Sequence, residues 1–493
     1  MKQETPAQQA DSQTDQPITL HRSSLWSSEQ FAGEPKPPSL LKYAHTKLLD
    51  LFVVKSSSGA SLAYLDGIRA VAVILVVLFH CWVLADTPLF VKTVPFTSIA
   101  IHYEKIFATG YFGVDLFFVL SGFLLSQYWL KADFQGKPRP NTQRFYRHRF
   151  FRILPGYYAC LILMVLFLTP FLIPTDFVYS ITGLFLLSSH LLFVHYLFPL
   201  SSASYSINGA LWTLTVEMMF YLLLPWFVLL FLRNRWMITL PVLAAITVGW
   251  LYLAKNSLGP VVHLMQQSVA KYAVPEDRMR DLLAQQFPGH LVKFGLGITL
   301  ANIFVRSREA GQPNRLLRVA TNGWMGKLYF ILGWVVVLYS MIRVGKASDD
   351  LSYYFISRIL VAVGFTLVLA GLLFGGNVLQ GIFGFTPLRL IGIVGFSAYL
   401  WHMPITYLVI KYPTVAALAP EQRFPSVVWH VALFLTVVSC LMYLVVEKPF
   451  LLIGRRRVAV GGNLANRATD SLAPVVPRAA ETSPVSVAAG SAD

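Results

Sequence analysis

Arg69 and His80 stand out because each is an ionisable residue inside one long apolar run, and they lie eleven positions apart. A helix turns about 100° and rises about 1.5 Å per residue, which places the two side chains within about 20° of one face and roughly 16 Å apart. Asp66 lies one turn before Arg69 and can pair with it. Inserting an ionisable residue well inside a membrane helix costs about 2.5–3.5 kcal/mol of free energy. We therefore expect these residues to have a structural or functional role.

Two interpretations of this polar stripe are open from the sequence. In the first, Asp66 and Arg69 anchor the helix at the membrane surface, and His80 makes a hydrogen bond between helices. In the second, His80 is a general base that faces a cavity, and Arg69 positions an anionic group of the substrate.

Two carboxylates occur in other apolar runs. Asp115 lies among several glycines that indicate close helix packing, and it could cap the external end of its helix or pair with His80. Glu217 lies one turn before Tyr221, where it either joins two helices through a hydrogen bond or belongs to a site. Both carboxylates are therefore candidates for a catalytic or an orienting role.

A basic segment ends in Arg149 and Arg152, which share a helix face at positions i and i+3. The charge of the segment is explained by the positive-inside rule, which marks it as cytoplasmic. The spacing also suits a phosphate-binding site, because guanidinium groups bind phosphate oxygens in a fixed geometry.

Two late segments carry further polar residues. Ser397, Tyr399 and His402 lie close together in one apolar run, and we interpret them as packing and interhelical hydrogen-bonding residues that could also line a site. Glu447 lies just before Pro449 at the end of the last run, a pattern that predicts a helix stop and a membrane anchor.

The elements that must position these residues are membrane helices. Hydrophobic residues form 55% and charged residues 13% of the 493, and the apolar residues occur in runs of about 18 or more, the length that crosses a bilayer. The net charge of +16 is scattered between these runs, whereas a nucleic-acid-binding domain gathers its basic residues on a soluble face. The three cysteines lie inside apolar runs without the spacing of a disulfide framework or a metal site, so we predict neither.

Eleven apolar runs follow one another between residues 62 and 447, and the basic residues determine how they cross. If every run crossed, Arg233 and Arg235 would face the outside, against the positive-inside rule. We therefore predict that the run at 177–199 is a re-entrant or external segment. This leaves an all-α integral membrane protein of about ten transmembrane helices, with both termini cytoplasmic, in the plasma (inner) membrane.

The two ends of the chain differ from the membrane domain at residues 61–452. Residues 1–38 and 453–493 are too polar to bury a core, and we predict that both are disordered cytoplasmic tails. Residues 39–60 carry apolar residues at helical spacing with charges between them, which is typical of an amphipathic helix on the membrane surface.

Together these segments resemble the acyltransferase-3 family of membrane O-acyltransferases over about residues 60–452. Five segments in the family's order carry the resemblance: Arg69 with His80; Gly113, Asp115, Phe117, Phe118, Ser121 and Gly122; Arg149 with Arg152; Trp212, Thr213, Glu217, Phe220 and Tyr221; and Tyr399, His402, Glu447 and Pro449. Met218 and Met219 depart from the polar pair that the family often has, which would make that wall of the cavity more apolar. The N-terminal tail is longer than the family's usual start. With no esterase-like domain after the last span, the single-domain form is expected.

The resemblance implies an enzyme that moves an acyl group, usually acetyl, from cytosolic acyl-CoA to a hydroxyl of a carbohydrate or another glycosylated small molecule. It implies no bound cofactor and no metal. Arg149 and Arg152 would hold the CoA phosphates, and Arg69 would orient the thioester. His80 would take the proton of the acceptor hydroxyl, with Asp115 or Glu217 as its orienting group. Supporting or cavity-lining positions would be Asp66, Trp212, Tyr221, Ser397, His402 and Glu447.

The alternative class is a proton-coupled secondary transporter in the lipid bilayer. Buried Asp, Glu, Arg and His residues would suit such a carrier too. We favour the enzyme because no repeat halves are visible in the sequence, and because a carrier does not need the pair Arg149 and Arg152.

Overall fold

The computed structural model describes residues 47, 49–54, 62–93, 100–168, 180–204, 207–272, 274–344 and 351–455. The chain divides into two units, residues 1–48 and 49–493, and the architecture below is that of the second unit. The predicted tail at 1–38 and nearly all of the one at 453–493 lie outside the described residues. Of the predicted surface helix at 39–60 only a part is described, and residues 49–52 are helical.

Helices form nearly all of the described chain. The α-helices are α1 (Ala63–Leu84), α2 (Glu104–Ala108), α3 (Gly113–Phe134), α4 (Thr142–Leu163), α5 (Ile181–Leu191), α6 (Trp212–Phe227), α7 (Trp236–Asn256), α8 (Gly259–Ser268), α9 (Glu276–Ala284), α10 (Leu291–Glu309), α11 (Arg315–Ala320), α12 (Gly323–Val344), α13 (Leu351–Phe374), α14 (Asn377–Phe383), α15 (Thr386–Ile393), α16 (Gly395–Lys411), α17 (Pro413–Ala416) and α18 (Pro420–Met442). Short 3₁₀ or π turns extend several of them: Gly110–Phe112 before α3, Met164–Leu168 after α4, Val228–Asn234 after α6, Phe287–His290 before α10, and Tyr443–Glu447 after α18. A short antiparallel pair of strands, β1 (Val91–Thr93) and β2 (Ala100–His102), lies between α1 and α2.

The spans agree with the apolar runs of the sequence. Among the described residues, nine helical segments are long and apolar enough to cross a membrane, and a tenth span forms if α15 and α16, which meet at 73°, are one broken segment. The 11-residue helix α5 lies in the run at 177–199 and is shorter than a span. The prediction of an all-α, multi-pass integral membrane protein with about ten spans is therefore confirmed, and the orientation of the termini stays a prediction.

The helices that frame the site approach each other backbone to backbone. A Cβ atom added to Gly392 of α15 would lie 1.7 Å from Asp66 O in α1, and one added to Gly67 would lie 1.9 Å from Phe383 O in α14. Only glycine permits approaches as close as these. They fix the end of α1 that carries Arg69.

The contact between α3 and α10 has the same origin. A Cβ atom added to Gly122 of α3 would lie 2.3 Å from Phe294 O in α10. This agrees with the close packing that the glycines of this run predict. The approach brings Asp115 of α3 next to Lys293 of α10.

The predicted helix stop at Pro449 is wrong. The helical segment that begins at Pro420 continues through this proline to Arg455, with the π turn Tyr443–Glu447 just before it. A π turn leaves a carbonyl group without its usual partner four residues on. A residue that has no N–H group is therefore accommodated at the next turn without losing a regular helical hydrogen bond.

Candidate active site

A cavity of about 580 Å³ lies between α1, α3, α4, α6, α15 and α16. Its described lining residues include one carboxylate, that of Glu217, and five basic side chains. The basic residues are Arg69, His148, Arg149, Arg152 and Arg455. The remaining lining is mostly leucine, valine and phenylalanine. The cavity is thus apolar with a strongly cationic part, and it suits a ligand that carries several negative charges.

Arg149 and Arg152 reach the cavity from the first half of α4, whose N-terminus is capped by the Asn141 side chain. The Arg149 guanidinium carbon lies 6.0 Å from the centre of the Tyr221 ring and 5.9 Å from that of Phe145. Its Nε atom is buried and has no hydrogen-bond partner among the residues that the structure describes. In the part of the chain that the structure describes, neither arginine forms an ion pair. Their charges are therefore available to a ligand.

Arg69 lines the same cavity, and Asp66 holds it in place. Arg69 Nη1 donates to Asp66 Oδ1 at 2.6 Å, as the spacing of the two residues predicts. Arg389 of α15 approaches the other carboxylate oxygen, with Nε at 3.6 Å from Oδ2. Asp66 thus joins α1 to α15 through Arg389, and its pair with Arg69 within α1 leaves Arg69 facing the cavity.

Glu217 lies on the cavity wall between two hydroxyl groups. Ser121 Oγ of α3 donates to Glu217 Oε1 at 2.7 Å, and the Tyr221 hydroxyl donates to the same oxygen. Ser121 and Tyr221 also line the cavity. The carboxylate therefore orders this wall and links α3 to α6.

Tyr399 of α16 lines the cavity beside Thr213 of α6. Its hydroxyl lies 2.6 Å from Thr213 Oγ1 and donates to Ala210 O at 2.9 Å. The centre of its ring lies 5.4 Å from that of His402, which is fully buried. Tyr399 is thus a fixed wall between the cavity and the histidine behind it.

His80 is not among the residues that line the cavity. It lies beyond Tyr399, where its Nδ1 atom is 2.9 Å from Val76 O and 3.2 Å from Nε2 of His402. The two imidazole centres are 4.9 Å apart. His402, which the sequence predicts only as a supporting residue, therefore supplies a ring nitrogen within hydrogen-bonding distance of His80.

Asp115 neither pairs with His80 nor caps its helix. Its carboxylate forms a salt bridge with Lys293, and both side chains are almost completely buried. Lys293 Nζ also lies 3.0 Å from Nδ1 of His290, whose Nε2 atom donates to Gln285 O at 3.0 Å. A lysine ammonium is a stronger partner for a buried carboxylate than a neutral imidazole is, and the close approach of α3 and α10 supplies it.

Three supporting residues take different positions. Ser397 Oγ donates to the buried carboxylate of Glu447, so Glu447 joins α16 to the end of α18. Trp212 lies outside the cavity lining and packs against Tyr196 and His290, with ring centres 5.0 and 5.9 Å apart. None of these three residues is in the cavity lining, and their contacts join the elements around it to one another.

A second pair of histidines lies in and after α5. The rings of His190 and His195 stack at 4.1 Å with planes 8° apart, and both are buried. Burial lowers the pKa of His190 to about 4 and that of His195 to about 2. Both imidazoles are therefore neutral at physiological pH.

Sequence reasoning missed the partners that other helices supply. Lys293 was visible as a lysine in an apolar run, and its charge could have identified it as the partner of Asp115. Arg455 and His148 carried no comparable signal, because each lies in a basic segment. Among the described residues, no group of three or more His, Cys, Asp or Glu side chains is arranged to hold a metal ion.

Comparison with known proteins gives one family. The model of the family described as an acyltransferase domain matches residues 62–446. A peptidoglycan O-acetyltransferase of Listeria monocytogenes is 26% identical over 347 residues, which cover 69% of this chain and 49% of the relative. A putative O-acetyltransferase of Staphylococcus aureus is 23% identical over 399 residues, 78% of this chain and 56% of the relative. A putative peptidoglycan O-acetyltransferase of Bacillus subtilis is 24% identical over 399 residues, which cover 78% of this chain and 54% of the relative. The chain spans about half the length of these relatives, and no solved structure matches it.

Proposed function

Because the chain belongs to the acyltransferase family whose model covers residues 62–446, we propose that it is a membrane O-acyltransferase that uses acyl-CoA. Acetyl is the proposed acyl group, since the relatives are named as O-acetyltransferases. The proposed acceptor is a hydroxyl of an envelope carbohydrate, in line with the word peptidoglycan in two of those names. A glycosylated small molecule is the second candidate acceptor.

The observation that carries this proposal is the pair of cavity arginines, Arg149 and Arg152, that form no ion pair with any residue the structure describes. CoA presents several phosphate groups, and a guanidinium group binds phosphate oxygens through charge-assisted hydrogen bonds. Arg149 and Arg152 follow the basic segment that we predict to be cytoplasmic, the side on which acyl-CoA is made. In this proposal the cavity receives the donor from the cytoplasm, both termini are cytoplasmic, and the protein lies in the plasma (inner) membrane.

His80 is the proposed general base. Val76 O can only accept a hydrogen bond, so the proton of the neutral imidazole belongs on Nδ1, and Nε2 has a free lone pair. The acceptor oxygen attacks the thioester carbonyl carbon, and its proton passes to His80 Nε2. The carbon–sulfur bond then breaks, and the CoA thiolate takes that proton and leaves as the thiol. This sequence requires the acyl end of the donor to reach beyond Tyr399.

The donor assignment is tested by acyl-CoA binding to the purified protein in nanodiscs. A charge-assisted hydrogen bond contributes about 1.5–3 kcal/mol, so Arg149→Ala and Arg152→Ala should each raise the Kd about tenfold to hundredfold. Arg144→Ala with Arg147→Ala is the matched control, because both residues lie on α4 and neither lines the cavity.

Two results would contradict the donor assignment. One is tight acyl-CoA binding that persists in the double variant at Arg149 and Arg152. The other is an equal loss of affinity in the control, which would show that the net charge of the segment matters and the two positions do not.

The acceptor is identified by a mass-spectrometric inventory of acylated glycans and secreted metabolites in a host that lacks this gene. Complementation with the wild type should restore one acyl ester, and His80→Ala at equal expression should not. If both restore it equally, the base assignment fails. If no acyl ester changes and a solute distribution does, the protein is a transporter.

A further inference from the structure

The contact between His80 and His402 joins two spans inside the bundle. His402 Nε2 of α16 lies 3.2 Å from Nδ1 of His80 in α1. The other nitrogen of His402, Nδ1, lies 2.7 Å from Tyr399 O. The sequence gives no indication of this pairing, because the two residues are 322 positions apart.

The hydrogen-bond partners determine where the protons of the two rings lie. Tyr399 O and Val76 O are backbone carbonyl groups, which accept and cannot donate. Each ring therefore has its proton on Nδ1, and Nε2 of His402 presents a lone pair towards the N–H group of His80. His80 Nδ1–H is shared between Val76 O and His402 Nε2, and His80 Nε2 is left free for a substrate.

We infer that His402 is a positioning residue for His80, a conclusion that rests on the proposed function. His402 accepts the Nδ1–H hydrogen bond of His80 and stabilises the imidazolium ion that forms when His80 takes a proton. A buried cation needs such a partner, since a charge in an apolar interior is costly without one. His402 thus fills the position that a carboxylate has in a Ser-His-Asp triad.

Among the described residues around His80, His402 is the one placed to accept its Nδ1–H hydrogen bond and stabilise the imidazolium ion. Asp115 and Glu217, the two carboxylates considered for this role, have other partners in Lys293 and in the hydroxyl groups of the cavity wall. The Phe79 ring lies between the rings of His80 and Tyr111, and Cys81 is the next residue of α1; tyrosine and cysteine side chains are uncharged at neutral pH. Among the described residues, no carboxylate, lysine or arginine hydrogen-bonds to either imidazole.

Three substitutions at His402 separate positioning from packing. His402→Gln keeps an amide oxygen near the place of Nε2, whereas the shorter side chain of His402→Asn leaves that place empty. His402→Glu puts a negative charge beside the ring of His80. The readouts are kcat for acyl transfer against pH, the Kd for acyl-CoA, and the ¹⁵N titration midpoint of His80 in histidine-labelled protein, with His80→Ala to assign the signal.

We expect His402→Asn to lower kcat by about 10²-fold with an unchanged Kd for acyl-CoA, and His402→Gln to recover most of that loss. The titration midpoint of His80 should fall by about one unit in His402→Asn and rise by at least about one unit in His402→Glu. The acid limb of the kcat profile should move in the same directions.

The inference is overturned if the titration midpoint of His80 is the same in the wild type, His402→Asn and His402→Glu. It is also overturned if His402→Asn has the kcat and pH profile of the wild type while His80→Ala is inactive. The titration does not depend on turnover. A wild-type protein that transfers no acyl group would therefore contradict the proposed function and still leave the role of His402 decided by the titration.

Discussion

The salt bridge between Asp115 and Lys293 should be one of the most sensitive points of the fold. The two side chains are 8% and 2% exposed, and the bridge joins α3 to α10. Removing one partner of a buried pair costs about 3–5 kcal/mol, because the other charge stays buried without compensation. We therefore expect Lys293→Met to lower the free energy of unfolding by about that amount. His290 cannot compensate, because its Nδ1 atom is an acceptor and offers Asp115 no proton.

The double variant Asp115→Leu/Lys293→Met tests whether the loss of stability comes from the unpaired buried charge. It removes both charges together, so it should recover most of the loss or exceed the stability of the wild type. The assay is unfolding by sodium dodecyl sulfate in mixed micelles, run as a double-mutant cycle. A positive coupling between the two positions is the expected outcome.

A matched control exists on the same two helices. Lys131 of α3 and Glu309 of α10 form an ion pair at 2.6 Å whose side chains are 51% and 24% exposed. Water solvates both charges, so Lys131→Met should leave unfolding within experimental error of the wild type. The reasoning is refuted if Lys293→Met is as stable as the wild type, or if the exposed pair proves equally costly to break.

Two further predictions concern buried polar groups. Ser397→Ala removes the donor to the buried carboxylate of Glu447 and should lower the free energy of unfolding by about 1.5–3 kcal/mol. Ser439→Ala, at a buried serine whose hydroxyl has no hydrogen-bond partner among the described residues, should leave the free energy of unfolding unchanged in the same assay. His190 has a pKa of about 4 when folded, below its unfolded value, so it binds fewer protons when folded and stability falls as pH drops below about 6.5. At pH 5 this histidine should cost about 2 kcal/mol. His190→Phe should make the dependence of the melting temperature on pH between 7 and 5 shallower without abolishing it, because the stacked His195, with a pKa of about 2, contributes in the same direction.

The spans could be predicted from the sequence because each is a long run of one chemical type. The basic residues at 233 and 235 also excluded the run at 177–199 from the spans, and α5 in that run is indeed too short to cross. Length and charge are properties of a single segment, so no knowledge of neighbouring helices was needed. The bend between α15 and α16 depends on what those helices pack against, and the apolar pattern could not show it.

The pairing of side chains was much harder to predict. The partner of Asp115 lies 178 positions away and that of His80 lies 322 positions away, so helical spacing says nothing about either. Asp66 and Arg69 are three residues apart on one helix, and that pair was predicted. Local geometry therefore accounts for contacts within a helix, whereas contacts between helices follow from packing that one sequence does not reveal.

The backbone contact at Gly67 affects how a mutational map of this protein should be interpreted. Gly67 does not line the cavity, yet any larger residue there would collide with a main-chain oxygen of α14 and displace the helix that carries Arg69. A substitution scan scored by product formation would thus show no tolerance for substitutions at Gly67. The result would look the same as that for a residue that touches the ligand. Only positions that weaken ligand binding without lowering the melting temperature should be assigned to the cavity.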